Sequence, residues 1–125
     1  MVSIFIVEDD EFLSILYRKV LVLNGYEVIA SAQNGQEAIN IYKELQNKPD
    51  VIIMDHRMPI KNGLEAAEEI LKININSKII FASADTTIKE KAMSIGAVSF
   101  KNKPFTMNKL IQNIEKVINM NNFKV

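Results

Sequence analysis

The chain has no cysteine among its 125 residues, which excludes a disulfide framework or a thiolate metal centre and suits a reducing compartment. It has no net charge either, with 15 basic and 15 acidic side chains, so the molecule as a whole does not attract nucleic acid. A single histidine leaves no imidazole cluster for a transition metal. No apolar run approaches the ~20 residues a membrane-spanning helix needs. The opening "MVSIFIVEDD" lacks a basic flank and turns acidic where a signal peptide would be cleaved. A cytoplasmic protein without membrane insertion is expected.

What is present describes a globular domain. A hydrophobic content of 48% with 24% charged residues supports a real core, and the length suits one domain over residues 1–125. Charge is divided along the chain. Residues 1–70 hold 6 Lys/Arg against 12 Asp/Glu, net −6, and residues 71–125 hold 9 against 3, net +6. Two solvated faces that differ by chance would give this; so would an acidic pocket and a basic docking face.

Two apolar periods alternate. The segments "SIFIV" (3–7), "EVIAS" (27–31), "VIIM" (51–54), "KIIFA" (78–82) and "AVSFK" (97–101) are short, rich in Val, Ile and Phe, and predict strands. Between them lie helical stripes. Phe12, Ile15, Leu16, Lys19, Val20 and Leu23 form the first, in a helix over Glu11–Asn24 stopped at Gly25. Ala38, Ile41, Tyr42 and Leu45 form the second, and Leu64, Ala67, Ile70 and Leu71 the third. Ile88, Ala92 and Met93 form the fourth, and Leu110, Ile111, Ile114, Val117 and Ile118 the fifth. Continuous apolar strands alternating with helices predict an α/β fold, a parallel sheet buried between helices on both faces. The final "NMNNFKV" is expected to fray.

Ligands of such sheets bind beyond the carboxyl ends of the strands. Glu8, Asp9, Asp10 and Glu11 follow the first strand there, and Asp55 the third. Ser83, Ala84 and Asp85 follow the fourth, and "KNKPF", with Lys103, the fifth. Crowded carboxylates repel unless a cation joins them. Hard oxygens without a His or Cys cluster favour Mg²⁺, with Mn²⁺ as an alternative. A carboxylate beside such an ion can act as a nucleophile toward phosphorus, and a hydroxyl and an ammonium can bind phosphoryl oxygens.

The stretches "IVEDD", "MDHRMPIKNG", "FASAD" and "KNKPF", each following a successive strand, resemble the receiver domain of bacterial and archaeal response regulators over essentially the whole chain. The resemblance implies a doubly wound five-stranded parallel sheet in flavodoxin-like order 2-1-3-4-5. It implies phosphoryl transfer from a sensor histidine kinase or a histidine phosphotransfer protein to Asp55, with Gly63 in the loop beyond. It assigns Asp9 as a direct metal ligand, Glu8 as a ligand through water and the Arg57 carbonyl as the third protein ligand. Ser83 becomes the hydroxyl switch, Lys103 the phosphoryl-binding lysine, Phe100 the aromatic switch, and Lys103-Pro104 a cis peptide. Arg57, Ala84 and Asp85 modulate the pocket: Arg57 and Asp85 are expected to pair across its mouth and prolong the loaded state, while the small Ala84 leaves access open. The chain would be a phosphoacceptor switch rather than an enzyme. A downstream partner would bind the fourth helix, fifth strand and fifth helix, carrying Lys89, Lys91, Lys101, Lys109 and Lys116.

Simpler roles stand beside these. Asp9 and Asp10 suit helix capping, Ser83 a turn, Lys103 the solvated surface and Phe100 the core. Alternation turns His56 away from Asp55, so it is expected to be a bystander. A nucleotide or flavin binder would need a phosphate-cradling loop where four acids stand, and a phosphohydrolase a further acid–base group near Asp55. A scaffold that is never phosphorylated is the remaining rival. No effector segment follows residue 125, so direct nucleic-acid binding is not expected unless the chain is a fragment of a longer regulator.

Overall fold

The structure, a computed structural model, describes residues 1–120. Strands β1 (Ser3–Val7), β2 (Glu27–Ala32), β3 (Val51–Met54), β4 (Ile79–Ser83) and β5 (Ser99–Asn102) form one parallel sheet in the order β2-β1-β3-β4-β5. Helices α1 (Glu11–Leu23), α2 (Gly35–Glu44), α3 (Gly63–Ile73), α4 (Lys89–Ile95) and α5 (Met107–Asn119) cover its two faces, with a 3-10 turn at Thr86–Ile88. The expected fold and strand order are those observed. No helix among the described residues is long and apolar enough to cross a membrane.

The inner strands are apolar on both sides because both faces are covered. Ile4, Ile6, Val51, Ile53, Ile80 and Ala82 pack under α1 and α5, while Phe5, Val7, Ile52, Met54, Ile79 and Phe81 pack under α2, α3 and α4. Each Val, Ile, Phe or Met among them contributes about 1.5–3 kcal/mol by leaving water. Register places the site: Val7 pairs with Met54 and Met54 with Phe81, so the residues just past β1 and β3 emerge side by side at the carboxyl edge.

Helix starts are written locally. Asp10 accepts from the Leu13 amide at 3.1 Å, Asn34 from Glu37 at 2.8 Å and Thr106 from Lys109 at 3.2 Å. Asn62 and Glu65 cap each other reciprocally, at 2.9 and 3.0 Å. Each cap is worth about 1 kcal/mol.

Four expectations need correction. The buried face of α1 is Tyr17 and Leu21, flanked by Leu13 and Val20, whereas Phe12 is 87% and Leu23 84% exposed. This helix is apolar almost all round, so spacing alone does not select its inner face. Met93 on α4 is largely exposed, and Ile39 on α2 is buried although it lay outside the expected stripe. β5 begins at Ser99 rather than residue 97, because Gly96 at φ +119° ends α4 and the Ala97 amide still donates to the Ala92 carbonyl. In the terminal stretch expected to fray, Asn119 closes α5 and residues 121–125 lie outside the described residues.

Candidate functional site

Glu8 follows β1 directly, and its amide donates to the Ala32 carbonyl at 3.0 Å, which fixes it against β2. Asp55 follows β3, and its amide donates to the Val7 carbonyl at 2.9 Å. Two carboxylates are thereby built into the sheet edge, both buried. Asp9, exposed, stands beside them: one oxygen from each of Glu8, Asp9 and Asp55 lies within 4.8 Å of the others. That spacing fits two direct ligands of a small hard cation, whose bonds are about 2.1 Å, plus a third acting through water. The residues present therefore suit Mg²⁺. Asp10 does not join them, because its side chain caps α1.

Lys103 supplies the positive charge. Its amide donates to the Ser83 carbonyl at 3.0 Å, and its ammonium reaches back across the sheet to Glu8 Oε1 at 2.8 Å and Asp55 Oδ1 at 3.5 Å. The Lys103-Pro104 peptide is cis. Burial pushes the Glu8 carboxyl up to about 7; the Lys103 hydrogen bond opposes this and the Asp55 charge adds to it. Burial likewise raises the Asp55 pKa, with the Lys103 charge and the His56 amide, at 2.8 Å, pulling the other way. Both acids are held closer to neutral pH than free carboxylates, chiefly because they are taken out of water.

The other predicted residues frame this cluster. Ser83 ends β4, buried, with its hydroxyl accepting from the Asp85 amide at 3.0 Å. Arg57 Nη2 and Asp85 Oδ2 form an ion pair at 3.1 Å, and Ala84 beside them is exposed. Hydrogen bonds from Thr87, then Arg57, hold the Asp85 carboxyl below its usual range. Phe100 is half-buried on β5, its ring stacked on Phe81 at 6.5 Å. His56 turns from the acids to the first turn of α3, where Nδ1 lies 3.4 Å from the Leu64 amide, and burial lowers its pKa. Gly63 is required by proximity: a Cβ there would stand 2.1 Å from the Asp55 carbonyl oxygen.

The five lysines named from sequence lie on α4, β5 and α5, with different immediate surroundings. Lys89, Lys101 and Lys109 line a groove of about 320 Å³ with Phe100 and Phe105. Lys91 instead lines a hollow against α3 with Glu68 and Lys72, and Lys116 is exposed on α5 outside both.

Two features escaped the sequence reading. Ile60, in the loop after Asp55, has φ +70° and is 78% exposed, a costly conformation for a β-branched residue. It forms the centre of a tight turn in which the Lys61 amide donates to the Pro59 carbonyl at 2.8 Å, and the Lys61 carbonyl then accepts from Gly35 at 2.9 Å, tying this loop to α2. No residue type signals that turn. Tyr17 is the second: it is buried under Lys103 and Phe105, and its hydroxyl has no hydrogen-bond partner among the described residues.

Comparison with known proteins agrees with this geometry. The model of the response regulator receiver domain matches residues 4–115. The chemotaxis protein CheY of Thermotoga maritima is 40% identical over 116 residues, spanning 91% of this chain and 95% of that protein. Response regulator TrrA of the same organism, solved with Mg²⁺ and BeF, aligns with a TM-score of 0.84 at 31% identity, over 94% of this chain and 99% of that one. A chain of the CheX–CheY–BeF₃–Mg²⁺ complex of Borrelia burgdorferi aligns with a TM-score of 0.88 at 25% identity, over 93% and 88%.

Proposed function

The chain belongs to the response regulator receiver family, and from that premise we propose that it is a phosphoacceptor switch of two-component signalling that takes a phosphoryl group on Asp55. The donor is a phosphohistidine on a sensor kinase or a phosphotransfer protein. A single observation carries the reading: the Lys103 ammonium spans Glu8 and Asp55, at 2.8 and 3.5 Å, beside the exposed Asp9 carboxylate.

Asp55, fixed by its amide to β1, presents a carboxylate oxygen in a constant direction. That oxygen bonds to phosphorus as the bond from phosphorus to the donor's imidazole nitrogen breaks, and the released imidazole takes a proton from water. Glu8, through water, with Asp9, Asp55 and the Arg57 carbonyl, would hold Mg²⁺ (or Mn²⁺). When bound, the cation supplies charge that offsets the carboxylates and the incoming phosphoryl oxygens. Lys103 turns from the carboxylates to a phosphoryl oxygen, and the Ser83 hydroxyl leaves the Asp85 amide to donate to another. Loss of the Ser83 to Asp85 bond frees the loop after β4, and Phe100 turns inward, changing the groove of Lys89, Lys101 and Lys109 that reads out the state. The lysines around that groove suit a partner with an acidic segment. A single transfer to the protein itself makes it a switch rather than a turnover enzyme.

The test is intact-mass measurement after incubation with acetyl phosphate, with Mg²⁺ or with chelator. One added phosphoryl group is expected in Mg²⁺, none with chelator and none in Asp55→Asn. A folded wild-type protein that gains no mass would instead identify a receiver-like scaffold.

A further inference from the structure

A folded domain in water rarely leaves a large apolar patch uncovered, and α1 does. Of the eleven large apolar side chains exposed among the described residues, five lie on this one helix: Phe12, Ile15, Leu16, Val22 and Leu23. They recur at the spacing of a single helix face, opposite the buried Tyr17 and Leu21. The stripe continues off the helix. Leu16 also walls, with Leu13, Tyr17, Pro104, Phe105 and Met107, a hollow of about 280 Å³ between α1 and the segment leading into α5. That volume lies below the ~300–1,000 Å³ of small-molecule sites and gives room for one aromatic side chain.

Shape and charge together select what covers this face. Phe12, 87% exposed, is a knob, and the hollow beside Leu16, one turn further along the helix, is a hole. Knob and hole on one patch are self-complementary: a twofold axis lying in the interface, midway between them, seats the ring of each copy in the hollow of the other. The charges agree. Asp10 and Glu11 at the start of α1 are offset by Arg18 and Lys19, all four exposed. The patch, like the chain with its 15 basic and 15 acidic side chains, therefore neither repels a second copy nor draws a partner of one sign. We propose that the outer face of α1 and the adjoining hollow form a homodimer interface, with Phe12 of each protomer seated in the hollow of its partner. Size sets the strength. With 13 residues, α1 is about 20 Å long and about 10 Å wide, so the face falls short of the ~800 Å² per partner of a standard interface. The dimer is weak, with a dissociation constant on the order of 100 µM. The inference is independent of the role of Asp55.

Sedimentation velocity of the full chain, from about 10 µM to about 500 µM, should show the mean mass rising from that of one chain toward that of two. Phe12→Asp should weaken association at least about tenfold. Its urea midpoint should stay that of the wild type, which separates loss of the dimer from loss of the fold. Ile75→Asp, at a position 83% exposed but beyond α3, should associate as the wild type does. Because the chain has no cysteine, a mixture of Phe12→Cys and Met107→Cys chains reports the contact directly. With diamide as oxidant, the two should join to each other in preference to either joining itself. A wild-type chain still monomeric at the highest concentration would overturn the proposal and leave the face to a helix of a different protein. A dimer that survives Phe12→Asp would overturn it by placing the contact elsewhere.

Discussion

Arg57 and Asp85 pair as the sequence reading expected, and the pair tests whether side chains outside the acid cluster set the lifetime of the loaded state. Their ion pair, 3.1 Å long, bridges the loop after β3 and the loop after β4, the two segments that flank Asp55. Asp85 is held on three sides, by the Thr87 amide, the Thr87 hydroxyl and Arg57, so the Arg57 side chain, itself 79% exposed, is anchored to the loop after β4, where on the proposed function it would shield a phosphoryl group from water. Arg57→Ala and Asp85→Ala should each shorten the half-life of the phosphorylated protein by about two- to fourfold, the range an exposed pair can supply. The double variant should do no more than either single one. A half-life unchanged in both variants, measured by intact mass after donor removal, would dismiss the shield. Such residues were legible through the resemblance of the motifs that hold them, Arg57 lying three residues past β3 and Asp85 two past β4. The buried hydroxyl of Tyr17 was not, since a tyrosine inside an apolar helix has no spacing that marks it as core or surface.

At the scale of the element, α1 shows where periodicity fails. Its apolar residues form two overlapping stripes, and the one with better spacing, Phe12, Ile15, Leu16 and Leu23, faces outward. The rotation is decided elsewhere: the Asp10 cap fixes the first turn, and the sheet beneath offers Ile4, Ile6 and Ile53 to a large ring at position 17. By contrast, α5 was read correctly because polar residues fill its outer face, leaving Leu110, Ile111, Ile114 and Val117 a single way inward. The energetic consequence is direct. Leu21→Ala should cost about 3 kcal/mol, as a cavity in a closed core does, while Leu23→Ala, at 84% exposure, should stay within ~0.5 kcal/mol. Urea unfolding of the two variants measures the contrast. Equal losses would mean that the helix faces the sheet with the other stripe.

At the scale of the molecule, the acidic first half and the basic second half of the chain meet at one point, where Lys103 reaches Glu8 and Asp55. The acids of the first half that matter gather at one point because β1 and β3 are neighbours in register, and the sheet supplies the rigidity that keeps them together despite their repulsion. Holding them out of water is a cost carried by the resting fold. Burial raises the Glu8 carboxyl from 4.5 to about 7 and moves Asp55 the same way. Between roughly pH 4.5 and 7, the folded protein therefore holds protons that the unfolded chain has released, and stability falls as pH rises through that window. The loss is on the order of 2 kcal/mol, complete above the folded pKa. In chelator, the urea midpoint should drop between pH 5 and pH 8, and Glu8→Gln, which has no charge to accommodate, should remove most of the drop. Mg²⁺ at pH 8 should restore the wild-type midpoint and do little at pH 5, because a cation stabilises only where the carboxylates are ionised. A midpoint that ignores both pH and Mg²⁺ would mean that the three carboxylates are already balanced by Lys103 alone, leaving no electrostatic demand for a metal at this edge of the sheet.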